Sequence, residues 1–286
     1  MNQITLKAYA KLNLFLNIKN RREDGYHEIE TVFERISLYD ELTLKKNKEN
    51  IIRIFCTDKR LEQENNLCVK AASLFFDTAG MKEGVDIHLT KNIPLGGGLG
   101  GASTDAASVL TGLNELFDAG LPQEELYMLG AKLGSDVNFF ISSERFALGT
   151  GRGDEIAPIR SDKVFHHILL VGHEEIMTAT IYKLYKAQLT KHSGSAKLFV
   201  QYLEDSDSKT LPVDLLYNAL TGPYLELSKK AKLIFEALDE SGEVFLLSGS
   251  GATINVMASD DRYELKEDLR HRLKEWGIHL LNVTSQ

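Results

Sequence analysis

The stretch PLGGGLGGASTDAASVL, Pro94 to Leu110, sets five glycines within residues 96–101, directly before a helical pattern. Beyond it Val109, Leu110, Leu113, Leu116 and Phe117 recur at the spacing of one buried helical face. Ser103 or Thr104 can cap that helix, Asp105 suits its first turn, and Gly120 and Pro122 end it. Before the glycines, Val85, Ile87 and Leu89 alternate with Asp86, His88 and Thr90, as in a half-buried strand. The local order is therefore strand, glycine loop, helix. Gly96, Gly98 and Gly101 satisfy G-x-G-x-x-G, but the half-polar strand and a second following helix, QEELYMLGAKLG, deny the setting of a dinucleotide fold. Ala102 and Ser103 stand where a P-loop needs Lys and then Ser or Thr, and a protein-kinase loop would sit in a hairpin. What remains is the physics common to all three: glycines admit phosphate close to backbone amides, and a helix N-terminus adds unpaired donors and a positive dipole. A tight turn packing helix on strand is the plainer alternative, but five glycines, each costing backbone entropy, exceed its needs. Phosphate is the expected guest.

Working outward, Ile4 and Leu6, then Leu12, Leu14 and Leu16, alternate with polar neighbours, and ETVFERISLYDELTLKK continues the pattern; these segments read as antiparallel strands. NLCVKAASLFFDTA is a helix with Leu67, Ala71, Leu74 and Phe75 on one face, and FALGTGRGDEIAPI carries a second glycine-rich segment. The pattern restarts near residue 160, which divides the chain into 1–158 and 159–286. In the second part HHILLVG is a strand, MTATIYKLYKAQL a helix and TKHSGSAK a mobile turn. NALTGPYLELSKKAKLIFEALDESG adds one helix and EVFLLSGSGATINVMAS a strand pair; Leu265, Leu269, Leu273 and Trp276 line a last helix before IHLLNVT. The class is α+β.

The chain has 286 residues, 43% of them hydrophobic, enough for a proper core. A net charge of −8 argues against nucleic acid or an anionic membrane as partner. Cys56 and Cys68, the only cysteines, have no metal-like spacing, so neither a disulfide framework nor a zinc site is expected. Lys7, Lys11 and Asn13 interrupt the apolar start, and no apolar run reaches membrane-spanning length; a cytoplasmic protein is expected.

If the phosphate belongs to a nucleotide, transfer chemistry needs a cation, a metal ligand and a proton acceptor. Lys11 and Asn13 lie two apart on a strand and share a face; they either meet a substrate or point to solvent from a sheet's open side. Asp136 in KLGSDVNFF is either a turn or cap residue or a carboxylate held in a cleft as general base. Ser103 and Thr104 can cap, or place a hydroxyl on a phosphate-bound Mg²⁺.

These pieces in this order resemble the GHMP kinase superfamily, and the likeness covers most of the chain. It rests on AKLNLFL (10–16), RREDGYHEIETVF (21–33), ENNLCVKAA (64–72), PLGGGLGGASTDAA (94–107), LGSDVNFF (133–140), GTGRGDEI (149–156) and SGSGAT (248–253). DGYHEIETVF is similar to the branch that reads cytidine. The resemblance implies a two-domain fold: a first domain like domain 2 of ribosomal protein S5 and a second, ferredoxin-like α/β sandwich. It implies ATP with Mg²⁺ as cofactors and phosphorylation of the tertiary 2-hydroxyl of a methylerythritol moiety bearing a cytidine diphosphate. Other readings are a superfamily kinase for another small alcohol, such as homoserine, a mevalonate derivative or a sugar, and a nucleotide-binding module without catalysis.

By the same resemblance Asp136 would be the base and Lys11 its partner. Pro94, Leu95, Gly96, Gly97, Gly98, Leu99, Gly100, Gly101, Ala102, Ser103 and Thr104 would wrap the ATP phosphates, with Asn66, Leu67 and Lys91 on the adenine side. Tyr26 would stack on cytosine, His27 would hydrogen-bond its edge, and Asn13, Thr178, Gly249 and Gly251 would lie on the substrate side. Asn138 stands where the family usually has Pro, and VGHEEIMTATIY lacks the family's Pro and aromatic before Thr178, so no aromatic of the second domain is assigned to cytosine. The small-molecule substrate and ATP are the expected partners, with the chain a monomer or weak homodimer.

Overall fold

The computed structural model describes residues 1–172, 176–185 and 195–286. Its centre is a hairpin of two long strands, β1 (Gln3–Arg21) and β2 (His27–Asn47), paired antiparallel from Gln3 opposite Lys45 to Arg21 opposite His27. Register shifts fall between Tyr9 and Lys11 and again between Asn13 and Phe15, so Lys11 and Asn13 occupy the short run between two irregularities. Such bulges bend a strand and re-aim its side chains. From Ala10 to Leu16 every residue of β1 is buried, because helices cover one face of the sheet and the second half of the chain covers the other.

Five further strands complete this sheet. β3 (Ile52–Cys56) and β4 (Gly84–Thr90) extend it beyond β2, β5 (Phe146–Thr150) and β6 (Glu155–Ile159) branch from the other end of β2, and β8 (Tyr217–Asn218) adds in parallel to β1. β4, which leads to the glycines, runs antiparallel to β2 but parallel to β3, and its residues alternate between buried and more exposed as the half-polar pattern has it. Four helices pack on this first sheet: α1 (Leu67–Ala79), α2 (Gly101–Leu116), α3 (Gln123–Leu133) and α4 (Val137–Ser142). α2 starts earlier than expected. Gly100, not Ser103 or Thr104, is its N-cap, with φ +74 and no side-chain cap, while Thr104 and Asp105 are buried within the helix.

β7 (His166–Val171), β9 (Phe245–Leu247), β10 (Ile254–Ala258) and β11 (His279–Thr284) form a second sheet in the order β11-β7-β10-β9, entirely antiparallel. With it come α5 (Thr178–Leu184), α6 (Ala196–Glu204), α7 (Thr221–Leu227), α8 (Lys229–Ser241) and α9 (Glu267–Glu275). The single helix expected over 218–242 is two. Ser228 breaks it by turning extended and capping α8 through the Ala231 amide, a role that suits serine better than continuing a helix. Of the expected turn 190–197, residues 190–194 lie outside the described residues.

Three apolar clusters make the core. One lies under α1–α4; the second, around the second sheet, takes in Leu16, Ile18 and Ile29 of the hairpin; and the third also joins the two halves, bringing Ala10, Leu12, Leu14 and Phe146 against Phe165, Leu169, Phe199 and Val283. Among the described residues no helix is long and apolar enough to cross a membrane.

Candidate active site

The glycine loop is shaped by what its carbonyls do. The oxygen of Gly96 accepts from the Ala252 amide, that of Gly97 from Thr253, that of Gly98 from the Ser248 hydroxyl and that of Leu99 from the Lys11 amide, all at 3.0 to 3.2 Å. Four consecutive carbonyls therefore face protein. Among the described residues the amides of residues 96–103 find no protein acceptor, and they open the N-terminus of α2. Inward carbonyls and outward amides at a helix start form a concave donor surface for an anion. Gly98 is required here on two counts: its φ is +70, and a Cβ would stand 2.2 Å from the Ser248 carbonyl.

Beside this loop stands a polar chain of side chains. Thr31 donates to the Phe15 carbonyl at 2.7 Å and accepts from Asn13 Nδ2 at 2.8 Å; Asn13 Oδ1 in turn accepts from the Lys11 ammonium. The ammonium then lies 3.4 Å from Asp136 Oδ2. Lys11 and Asn13 are each only 3% exposed, so the solvent-facing alternative for this strand is excluded. A buried lysine needs such partners to offset desolvation. Asp136 reaches the pair from the turn before α4, and its carboxylate makes no cap bond, so it is free to face the cleft. The same spot adjoins both loops. A Cβ on Gly100 would lie 3.1 Å from Lys11 Cγ, and one on Gly249 3.2 Å from Lys11 Nζ and from Asn13 Oδ1. Asn13 has both ends of its amide engaged, which makes it a strut for Lys11 before it is a substrate contact.

Asn138 is buried in the first turn of α4, where its amide donates to the Asp154 carbonyl at 2.9 Å. A proline is tolerated at such a position because its N–H would be unpaired anyway; the asparagine replaces a ring with an anchor to the 151–154 turn. Gly251 is a packing position: a Cβ would stand 2.7 Å from the Tyr224 ring, and its carbonyl faces Gly98.

On the outer side of the glycine loop is a cleft of about 600 Å³ lined by Thr57, Arg60, Lys91, Pro94, Leu95 and Val171, among others. Lys91 contributes its stem, but its ammonium turns inward and binds Asp40 and, at 2.8 Å, Asp105. Burial alone would lower the Lys91 pKa; the two carboxylates outweigh that and hold it above its ordinary value. Asp40 also accepts the amides of Asn92 and Ile93. Asp105 has one oxygen without a partner, and burial, only partly countered by Lys91, pushes its carboxyl up to about 7. The cluster ties the strand end before the glycines to the helix after them. Asn66 caps α1 through the Cys68 amide and donates to the Leu61 carbonyl, so its side chain is engaged; neither it nor the adjacent Leu67 lines the cleft.

At the far end of the hairpin, Tyr26 is 54% exposed and the Arg152 guanidinium lies 5.0 Å from its ring centre. His27, next along the chain, stacks on Tyr182 of α5 at 5.3 Å, with Tyr185 edge-on at 6.2 Å. Burial, followed by the charge of Arg21, lowers the His27 pKa, which favours the neutral imidazole with one donor and one acceptor. Burial and then the Asp136 charge push the Tyr182 phenol up. Thr178, one helical turn before Tyr182, bonds the Ser250 hydroxyl at 2.8 Å and so ties α5 to the 248–253 loop. Tyr182 and Arg152 escaped the sequence reading, although the four-residue spacing from Thr178 places Tyr182 on the same helical face.

Residues 66–144 match the family model for the GHMP kinases N terminal domain. Over 265 residues the chain is 36% identical to the 4-diphosphocytidyl-2-C-methyl-D-erythritol kinase of Prosthecochloris aestuarii, covering 91% of each. It is 38% identical over 252 residues to the like-named protein of Shouchella clausii, covering 87% of this chain and 84% of that one. A crystal structure of a 4-(cytidine 5'-diphospho)-2C-methyl-D-erythritol kinase superposes with a TM-score of 0.80 at 28% identity, over 99% of this chain and 100% of that one. The homoserine kinase of Cytophaga hutchinsonii shares the fold, with a TM-score of 0.73 at 16% identity over 100% of this chain and 95% of that one.

Proposed function

The chain belongs to the 4-diphosphocytidyl-2-C-methyl-D-erythritol kinases of the GHMP superfamily and is an ATP-dependent kinase of isoprenoid synthesis; on that premise we propose how its residues divide the work. The enzyme phosphorylates the 2-hydroxyl of the methylerythritol moiety. Asp136 takes the hydroxyl proton as its oxygen bonds to the γ-phosphorus of ATP, and the bond to the bridging oxygen breaks with its electrons leaving on ADP. Lys11 faces the same point and stabilises charge on the attacking oxygen. The amides of residues 96–103 bind the phosphates, and the 600 Å³ cleft beyond them takes adenine against Pro94 and Leu95. The single observation that carries this reading is the Lys11–Asp136 pair beside the amide-lined loop.

Magnesium fits this loop. Among the described residues no three His, Cys, Asp or Glu side chains converge as a metal cage, which suits an ion held chiefly by phosphate oxygens and water. Among the described residues the Ser103 hydroxyl has no hydrogen-bond partner and lies near Gly134, two residues before Asp136, so it would complete that shell. The ion would neutralise charge on the transferring phosphoryl group.

Tyr26 stacks on the cytosine while His27 reads its edge, and Tyr182 supplies an aromatic wall from the second half. The division at 158/159 belongs to this proposal too: the first part holds ATP, the second closes the substrate side through Thr178 and residues 248–253. We assign a monomer or weak homodimer in the cytoplasm. An ADP-release assay tests the whole: turnover with the cytidine diphosphate substrate should exceed that with free methylerythritol, homoserine or mevalonate phosphate by orders of magnitude. Comparable turnover with homoserine would overturn it.

A further inference from the structure

The second glycine-rich segment, 149–153, takes no part in the phosphate loop, yet it is tied to the substrate end at several points. The Ile29 amide donates to the Gly151 carbonyl at 2.8 Å, and the Gly151 amide to Glu28 Oε1 at 3.2 Å, which docks the segment on the strand that begins at His27. Arg152, at its tip, is held rigidly. Its Nε and Nη2 donate to Asp154 Oδ2 at 3.1 and 2.6 Å, and Nη2 also reaches the Ala131 carbonyl at 3.2 Å. The Asp154 carbonyl accepts the Asn138 amide, so the anchor continues into the helix that follows Asp136. So fixed, the guanidinium lies over the ring of Tyr26. Tyr26 itself is restrained in the backbone, where its amide donates to Asp24 Oδ1 at 3.0 Å, and among the described residues Arg152 is the cation or ring stacked on its exposed ring.

We propose that Arg152 is a positioning residue for nucleobase recognition: it covers one face of the Tyr26 ring, restricts its rotamers and leaves the opposite face for the cytosine. A planar cation on an aromatic face is attractive, and a ring ordered in advance loses less freedom on stacking. The inference rests on the reading that Tyr26 receives the base. Asn138, the residue that departs from the family's proline, belongs to this arm, because its amide sets the turn that aims Arg152.

The test is steady-state kinetics of R152Q, Y26A and the double variant, with thermal unfolding as a check on folding. R152Q should raise KM for the cytidine-bearing substrate about three- to tenfold. It should leave kcat and the KM for ATP within about twofold, and it should add nothing in the Y26A background. If Y26A alone leaves KM unchanged, the reading of Tyr26 fails and this inference falls with it. If Y26A weakens the substrate while R152Q is silent, or while R152Q costs its full factor in the double variant as direct binding of the diphosphate would, only the role of Arg152 is overturned. Should R152Q fail to fold, R152K, which keeps the charge but loses the fork to Asp154, carries the same comparison.

Discussion

The two ends of the cleft are built from different materials. The proposed phosphate end is backbone: outward amides of residues 96–103 at a helix start, stiffened by carbonyls that bond the 248–253 loop and Lys11. The proposed base end is side chain: Tyr26, His27, Tyr182 and Arg152, drawn from a hairpin, a helix of the second half and a turn. A backbone site recognises what all nucleotides share, while a side-chain site can be redrawn residue by residue. One fold can thus serve kinases for several alcohols, as the likeness to a homoserine kinase at 16% identity illustrates.

The contrast can be broken most sharply at the junction of the two ends. Asp136→Asn should lower kcat by about 10²–10⁴-fold, the usual worth of a general base, while ADP binding measured by calorimetry changes less than about threefold. A variant retaining a tenth of wild-type kcat would remove Asp136 from the reaction. Next in size, Gly98→Ala strikes the backbone end alone, since it sets a methyl against the Ser248 carbonyl at a positive φ. ADP affinity should fall at least about tenfold, with a loss of thermal stability from backbone strain; unchanged ADP binding would deny the loop its role. His27→Ala should spare ATP and raise KM for the cytidine substrate about tenfold, the scale of one stacking or hydrogen-bonding side chain. Equal loss of both would erase the division between the ends.

The smallest effect concerns the buried cluster beneath the loop. Asp105 is held near 7 in the folded protein, against about 4 for a carboxyl in the unfolded chain. The folded state therefore binds more protons between those values, and the stability this group contributes is greatest at low pH and declines as pH rises to 7. Asp105→Asn removes that slope. The melting temperature of the wild type relative to the variant should fall from pH 5 to 7.5 and level above pH 8; a flat difference across that range would show the carboxyl to be ionised and paired throughout.

How far the sequence foretold this follows the same line. The glycine loop is readable because glycine and helix start are local signals, whereas the spacing of Lys11 and Asn13 gives only a shared face and leaves cleft or solvent open until burial decides it. Lys91 was less so: only the family resemblance offered it, on the adenine side, and only the fold brings Asp40 and Asp105 to it from 51 and 14 positions away. The cap of α2 was misplaced because Gly100 caps by backbone conformation, which leaves no side-chain signature at Ser103 or Thr104. Tyr182 was hidden because an aromatic on a short helix commonly belongs to a core, and its partner His27 lies in the opposite half of the chain.

The hydrogen bonds from residues 248–253 to the carbonyls of Gly96, Gly97 and Gly98 have an outcome for engineering by recombination. A chimaera that keeps residues 1–158 and takes its second half from another kinase inherits foreign donors for those three oxygens. Donor geometry at that seam, more than overall similarity of the grafted half, should decide which hybrids still hold nucleotide.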